Sequence, residues 1–313
     1  MVICVTLNPA IDAYLEVKKL IPGSFHRTEK EIYSPGGKGF IAAEILMKLG
    51  YSDVLSTGLL AGRNGLAWED SATQRGVPGS YVYIHNGNTR RNIQIVDLTE
   101  STVTSIGTKG PEASPQDIEK LKKRLRPHLG RAEWILFGGS LPSGLSPDTY
   151  YELIKYFNGL GKKTVINATI EYLPRAADAI PFMLVEDPKE GEEHFGDIEV
   201  HSLEDEIKLA KSLMDKGIQV VSLSWQVIHN VIGIYGNVYH VHLVDPHIFS
   251  VVGANSALTA GLIHAIISGM EGPDIAKHAV ATAYAVATKL EPDIDGIVQV
   301  QKVYEYVEVE KVL

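Results

Sequence analysis

The chain has one cysteine, Cys4, in 313 residues. An intrachain disulfide is therefore excluded, and a reducing compartment is the natural setting. Basic residues are also in deficit: Lys and Arg total 29 against 38 Asp and Glu, a formal charge of −9. No basic stripe offsets this, so a nucleic-acid partner is not expected. An anionic ligand would need a local positive pocket. No apolar run approaches the roughly 18 residues that cross a bilayer. A charged segment followed by an apolar one is missing from the N-terminus, so no secretory signal is expected. Together these absences predict a cytoplasmic protein without a membrane partner. A Walker loop, G-x-x-x-x-G-K-[ST], is absent too.

What is present has globular composition, with 45% hydrophobic and 21% charged residues. "MVICVTL" reads as a fully buried strand, so Cys4 belongs to the core. "IDAYLEVKKLI" and "FHRTEKEIYS" follow as partly polar strands. "GGKGFIAAEILMKLG" switches to helical spacing, with Ile41, Ile45 and Leu49 on one face. "DVLSTGLL", "GLAWEDSATQRG", "YVYIHNG" and "RRNIQIVDL" read as strand, helix, strand and strand. From about residue 115 helices and strands alternate regularly, and "GPDIAKHAVATAYAVATKL" and "VQKVYEYVEV" read as two closing helices. The alternation predicts an α/β fold with a mostly parallel, doubly wound sheet covered on both faces. Polar strands without intervening helices predict a small accessory sheet.

Five segments are weighed for chemistry. "SPGGKGF" sets Gly36, Gly37 and Lys38 before a helix, where glycines allow close approach to a ligand and lysine supplies charge. A plain glycine turn is the alternative. "TRRNIQ" puts Arg90 and Asn92 on one strand face, and a guanidinium suits phosphate or carboxylate. A polar edge strand would look the same. "FGGSLPSG" presents Ser140 at a strand end, with no histidine at a spacing that would make it a nucleophile. "VVGANSALTAG" sets small residues at a helix start, the layout of an anion-binding loop. Serine and asparagine there also read as helix N-caps. "YHVHLVDPH" contains His240, His242 and His247. A sheet-packed histidine pair explains it better than a metal site, because no carboxylate or cysteine completes a ligand spacing.

These pieces, in this order, resemble the PfkB branch of the ribokinase-like carbohydrate kinases, specifically its 1-phosphofructokinase and tagatose-6-phosphate kinase group. "TLNPAIDAY" is similar to that group's opening, "PGGKGF" to its first signature and "VVGANSALTAG" to its second, V-G-A-G-D-S-x-x-A-G. "STGLLAG", "TRRN" and "FGGSLPSG" lie between them. The resemblance implies a three-layer α/β/α ribokinase-like domain over residues 1–313. Lid strands at approximately 12–34 and 81–107 would be inserted in it and could form a homodimer contact. It implies transfer of the ATP γ-phosphate, with Mg²⁺, to a small phosphorylated sugar. Asp12, Gly36, Gly37, Lys38, Arg90, Asn92 and Ser140 would serve the sugar phosphate. Gly253, Ala254, Asn255 and Ser256 would form the anion hole.

The departures from the family pattern fall mainly on the nucleotide side. Asn255 replaces the second glycine, and Ser256 stands at the catalytic aspartate. A hydroxyl has no useful basicity near pH 7, and general-base help is worth about 10²–10⁴-fold. K-P-N becomes Val185, Glu186 and Asp187, and D-T-S-G becomes Asn167, Ala168, Thr169 and Ile170. The glycine-rich segment facing ATP becomes "SLSWQVIHN", with Trp225 in its middle. On the sugar side the signature asparagine is Ile41 and a usual lysine is Gln94. The expectation is a sugar-phosphate kinase homologue that is impaired or inactive yet keeps an anion site and has no metal-binding residues of its own. The alternative is an active kinase for fructose 1-phosphate or tagatose 6-phosphate with a non-standard base.

Overall fold

The structure is a computed structural model, and it describes residues 1–186, 194–225 and 227–313. Asp187 and the side chain of Trp225, both singled out in the sequence, lie outside what is described. In chain order the first elements are β1 (Val2–Thr6), β2 (Ala10–Val17), β3 (Lys30–Gly36), α1 (Lys38–Lys48), β4 (Val54–Ala61) and α2 (Gly62–Gln74). Next come β5 (Val82–Ile84), β6 (Arg90–Asp97), β7 (Thr102–Gly107), α3 (Pro115–Leu125), β8 (Trp134–Gly139), α4 (Thr149–Gly159) and β9 (Lys163–Ala168). The chain continues through α5 (Leu173–Ala177), β10 (Met183–Glu186), β11 (His194–Phe195), β12 (Ile198–Glu199), α6 (Leu203–Asp215), β13 (Val220–Trp225), β14 (His229–Ile234) and β15 (Asn237–Leu243). It closes with α7 (Ala254–Ile267), α8 (Gly272–Ala287), α9 (Ile297–Lys302) and β16 (Val307–Lys311).

Ten strands form one sheet in the order β16-β15-β14-β13-β10-β9-β8-β1-β4-β5. Pairing is parallel from β13 to β5 and antiparallel from β13 to β16. The α/β expectation is met because β1 is apolar on both faces and fully buried, as a central parallel strand must be. One apolar layer joins the sheet to α1, α2, α7 and α8, and a second joins it to α3, α4, α5 and α6. Cys4 lies in the first layer, where burial raises its thiol pKa far above the ordinary range. A separate four-stranded sheet runs β3-β2-β6-β7. No helix among the described residues is long and apolar enough to cross a membrane.

Two elements differ from the sequence reading. Val82–Ile84, expected in the small sheet, pairs instead with β4 at the edge of the large one. "VQKVYEYVEV", expected to be one helix, divides into α9, a short 3₁₀ turn and the start of β16. Val307 and Val309 alternate with Glu308 and Glu310, a period-2 pattern, and β16 pairs with the exposed edge of β15.

Beyond the sheet, α7 and α8 enclose a polar chain. His264 Nδ1 lies 3.1 Å from His278 Nε2, and His278 Nδ1 lies 2.7 Å from the Tyr304 hydroxyl. Burial, reinforced by the nearby His264, pushes His278 down to about 4. The folded state therefore holds His278 neutral, whereas an unfolded chain takes up its proton near pH 6.5. This group stabilises the fold fully above about pH 6.5, and the contribution is lost as pH falls towards 4. The loss is on the order of 3 kcal/mol. Buried Glu206, raised to about 7 by burial, acts in the opposite sense on acidification. Denaturant midpoints of the wild type and His278→Gln between pH 7.5 and 4.5 isolate the term. The wild type should lose stability relative to the variant, and parallel curves would refute the assignment.

Candidate functional site

Strand order reverses between β1 and β8: β4 and β5 extend the sheet on one side, and β8, β9 and β10 on the other. Ligand clefts in open α/β sheets form at the carboxyl ends of strands at such a switch point. Asn8 follows β1 there and Ser140 follows β8, and Asn8 Nδ2 donates to Ser140 Oγ at 3.1 Å. The Ser140 turn is held from below, because the Tyr150 hydroxyl donates to the Gly139 carbonyl at 2.9 Å.

The small sheet supplies the next groups. Asp12 on β2 and Asn92 on β6 are direct partners in a parallel ladder. Asn92 Nδ2 donates to Asp12 Oδ1 at 2.7 Å. Arg90 shares the face of Asn92, as alternation requires, and its Nη1 donates to Asn92 Oδ1 at 2.7 Å. Its Nε donates to the Asn8 carbonyl at 3.1 Å. Ser140, Asn8, Arg90, Asn92 and Asp12 thus form one continuous chain across the switch point. Burial pushes the Asp12 carboxyl up to about 6, against the Asn92 hydrogen bond and the Arg90 charge.

The glycines of "PGGKG" face protein atoms. A Cβ on Gly36 would lie 2.0 Å from Asp12 Oδ2, and one on Gly37 would lie 2.5 Å from Thr6 Cγ2. Gly37 also has φ +127°, which disfavours other residues. The sequence reading assigned these glycines to a ligand; they also let the start of α1 sit against β1 and Asp12. Lys38 reaches the other side of the cleft, where its Nζ donates to Asn167 Oδ1 at 3.0 Å. Asn167 Nδ2 in turn donates to the Asn255 carbonyl at 3.2 Å and to Thr259 Oγ1 at 2.8 Å. Lys38 is therefore one side chain away from the first turn of α7.

That turn starts at Gly253, the N-cap, with φ 79°. Asn255 and Ser256 sit inside the helix, so the N-cap reading of these two residues does not hold. The Ala254 N–H donates to the Val251 carbonyl at 3.1 Å, which removes it from the anion hole expected there. Asn255 is 6% and Ser256 1% exposed. Among the described residues both Asn255 side-chain atoms lack a partner. No carboxylate occupies this first turn.

Residues 2–295 match the family described as pfkB family carbohydrate kinase. The chain belongs to the PfkB family. Relatives include 1-phosphofructokinases from Vibrio cholerae, 28% identical over 92% of this chain and 90% of that one, and from Borreliella burgdorferi, 26% identical over 92% of each. A solved structure described as a possible 1-phosphofructokinase from Thermotoga maritima superposes with a TM-score of 0.91 at 26% identity, covering both chains fully. Phosphofructokinase-2 from Escherichia coli, solved with substrates and products, shares the fold with a TM-score of 0.87 at 19% identity over 98% of each chain. The three-layer fold with its small sheet is that of the PfkB family.

Of the residues in this hydrogen-bonded chain, the sequence reading named Asp12, Lys38, Arg90, Asn92, Ser140 and, as a replaced aspartate, Asn167, but passed over Asn8 and Thr259. Asn8 carried a signal, since it directly follows a buried strand in "TLNPA". Asn167 was visible only as a replaced aspartate, and its contacts with Lys38 and α7 join residues 88 or more positions apart. On the nucleotide side, Glu186 ends β10 with 4% exposure and Val185 is fully buried. Among the described residues β10 ends in one buried carboxylate, Glu186, and the first turn of α7 carries none.

His240 and His242 do share a strand face, and His229 on β14 joins them. Their three rings have centroids 5.1–6.2 Å apart. His242 Nε2 lies 3.2 Å from a Glu308 carboxylate oxygen. Among the described residues no group of three or more His, Cys, Asp or Glu is placed to hold a metal.

Proposed function

We propose that this PfkB-family chain is a cytoplasmic 1-phosphofructokinase homologue that binds a small phosphorylated sugar and has lost most or all phosphoryl transfer. The carrying observation is the first turn of α7, which holds buried Asn255 and Ser256 and no carboxylate to take a proton from an attacking hydroxyl. Binding has separate support. The Arg90–Asn92–Asp12 chain offers a guanidinium for phosphate and a carboxyl for sugar hydroxyls, and it does not depend on Ser256.

The family consists of ATP-dependent kinases, so ATP with Mg²⁺ is the nucleotide to test. Thermal unfolding should shift upward with fructose 1-phosphate or tagatose 6-phosphate, because a ligand of the native state stabilises it. ATP–Mg²⁺ should give no shift, and ADP release on adding sugar phosphate should stay at background. Asn255→Gly with Ser256→Asp should not restore turnover, because the Glu186 and Asn167 differences remain. Robust sugar-dependent ADP release by the wild type would overturn the impaired reading.

One observation favours the alternative of an active enzyme with a non-standard base. Asp12, held near 6, has the proton affinity a general base needs at neutral pH. In that case turnover would be measurable and Asp12→Asn would eliminate it. A homodimer through the small sheet is supported by exposed Tyr33, Val103 and Ile106 on β3 and β7.

A further inference from the structure

A cavity of about 380 Å³ lies away from the switch point, in the antiparallel half of the large sheet. Val200, Leu203 and Glu206 line it, together with His229 of β14 and His240 of β15. That volume is within the range of small-molecule pockets.

Glu206 is the unusual residue there. The buried positions of α6 are Glu206, Leu209, Ala210 and Leu213, spaced as one helix face. Leu209, Ala210 and Leu213 join the apolar layer beneath the sheet. A carboxyl therefore stands where the stripe calls for an apolar side chain. The neighbouring acids Glu204 and Asp205 both reach Lys208. Glu206, by contrast, is 8% exposed, and its side chain has no hydrogen bond or ion pair among the described residues.

A carboxyl buried without a partner carries a desolvation cost, and burial raises this one to about 7. A cation reaching it would offset that cost by favouring the ionised form. The imidazoles add a neutral partner. His229 Nδ1 and His240 Nε2 lie 3.4 Å apart. When one of these nitrogens donates to the other, the second nitrogen of the donor ring is left as an acceptor. Carboxylate, imidazole acceptor and the apolar walls at Val200 and Leu203 together match an ammonium carried on a short hydrocarbon stem. Among the described residues no group of three or more His, Cys, Asp or Glu could hold a metal ion, so an organic cation fits better.

We propose that the cavity between α6 and the β14–β15 hairpin binds a small aliphatic amine, with its ammonium on Glu206 and its stem along Val200 and Leu203. This site is separate from the switch-point cleft and does not rest on the sugar-phosphate reading.

Ligand-detected NMR titration of the full chain with butylammonium and with butan-1-ol tests it. The two probes have similar shape and differ in charge. Butylammonium should bind about tenfold more tightly or better, the scale of one hydrogen bond to a charged group. Glu206→Gln keeps the shape of the side chain and should remove that preference. Leu203→Trp keeps the carboxyl but crowds the cavity, and it should weaken butylammonium binding. Equal binding of amine and alcohol would overturn the proposal, as would no binding of butylammonium. A preference that survives in folded Glu206→Gln, or amine binding unchanged in folded Leu203→Trp, would place the amine elsewhere and overturn it equally.

Discussion

Arg90→Ala is expected to weaken fructose 1-phosphate binding by about 30-fold or more. Truncating one member of a buried, hydrogen-bonded charge cluster costs about 2–5 kcal/mol. Arg90 is such a member: its guanidinium bonds the Asn8 carbonyl and Asn92 Oδ1, linking the strand-end turn to the small sheet. Its removal also takes away the positive charge that opposes the upward shift of Asp12, so the carboxyl becomes harder to ionise. Arg90→Lys should rescue little, because a single ammonium cannot bridge two acceptors with a planar fork. Titration calorimetry measures the effect, and unfolding midpoints report whether the fold survives. Affinity within threefold of the wild type in a folded Arg90→Ala protein would exclude this residue from the site.

The second large effect concerns stability. Gly39→Ala should destabilise the protein by about 2–4 kcal/mol, read as a lower denaturant midpoint. Helix propensity alone predicts the opposite, since alanine in a helix gains about 1 kcal/mol over glycine. Here the clash decides the sign. A Cβ at Gly39 would lie 2.6 Å from the Val5 carbonyl oxygen and 2.7 Å from Thr6 Oγ1. The first of these is strand backbone and cannot swing aside. The second is the acceptor for the Phe40 N–H at 3.0 Å, so displacing it also costs a buried hydrogen bond. Gly159, in α4 with nothing within 4 Å of its Cβ position, is the matched control. Gly159→Ala should be neutral or stabilising by up to about 1 kcal/mol. Equal effects at the two positions would refute the close-packing account of the glycine signature.

Much of the large sheet was legible because its strands are short apolar runs between helical stretches of clear period. Misreadings occurred where a neighbour decided the outcome. Val82–Ile84 is three residues long, and only the free edge of β4 assigns it to the large sheet. Residues 307–310 alternate Val and Glu, but the preceding helical spacing runs into them without a break. Pairing with β15 settles them as a strand. The third histidine of the β14–β15 face was missed because His229 lies 11 positions from its nearest ring partner in sequence, His240.

The sequence by itself determined the class of fold, the order of the signature segments and the absence of a carboxylate at residue 256. These follow from local residue identity and from periodicity, which a linear reading preserves. Tertiary structure alone decided how the pieces meet. It assigned the signature glycines to close packing, sent Lys38 to Asn167, and engaged the Ala254 N–H with Val251. It also left the Asn255 amide buried without a partner among the described residues. Each of these depends on which strand ends lie side by side in the sheet, and that adjacency is fixed by packing across long separations in the chain.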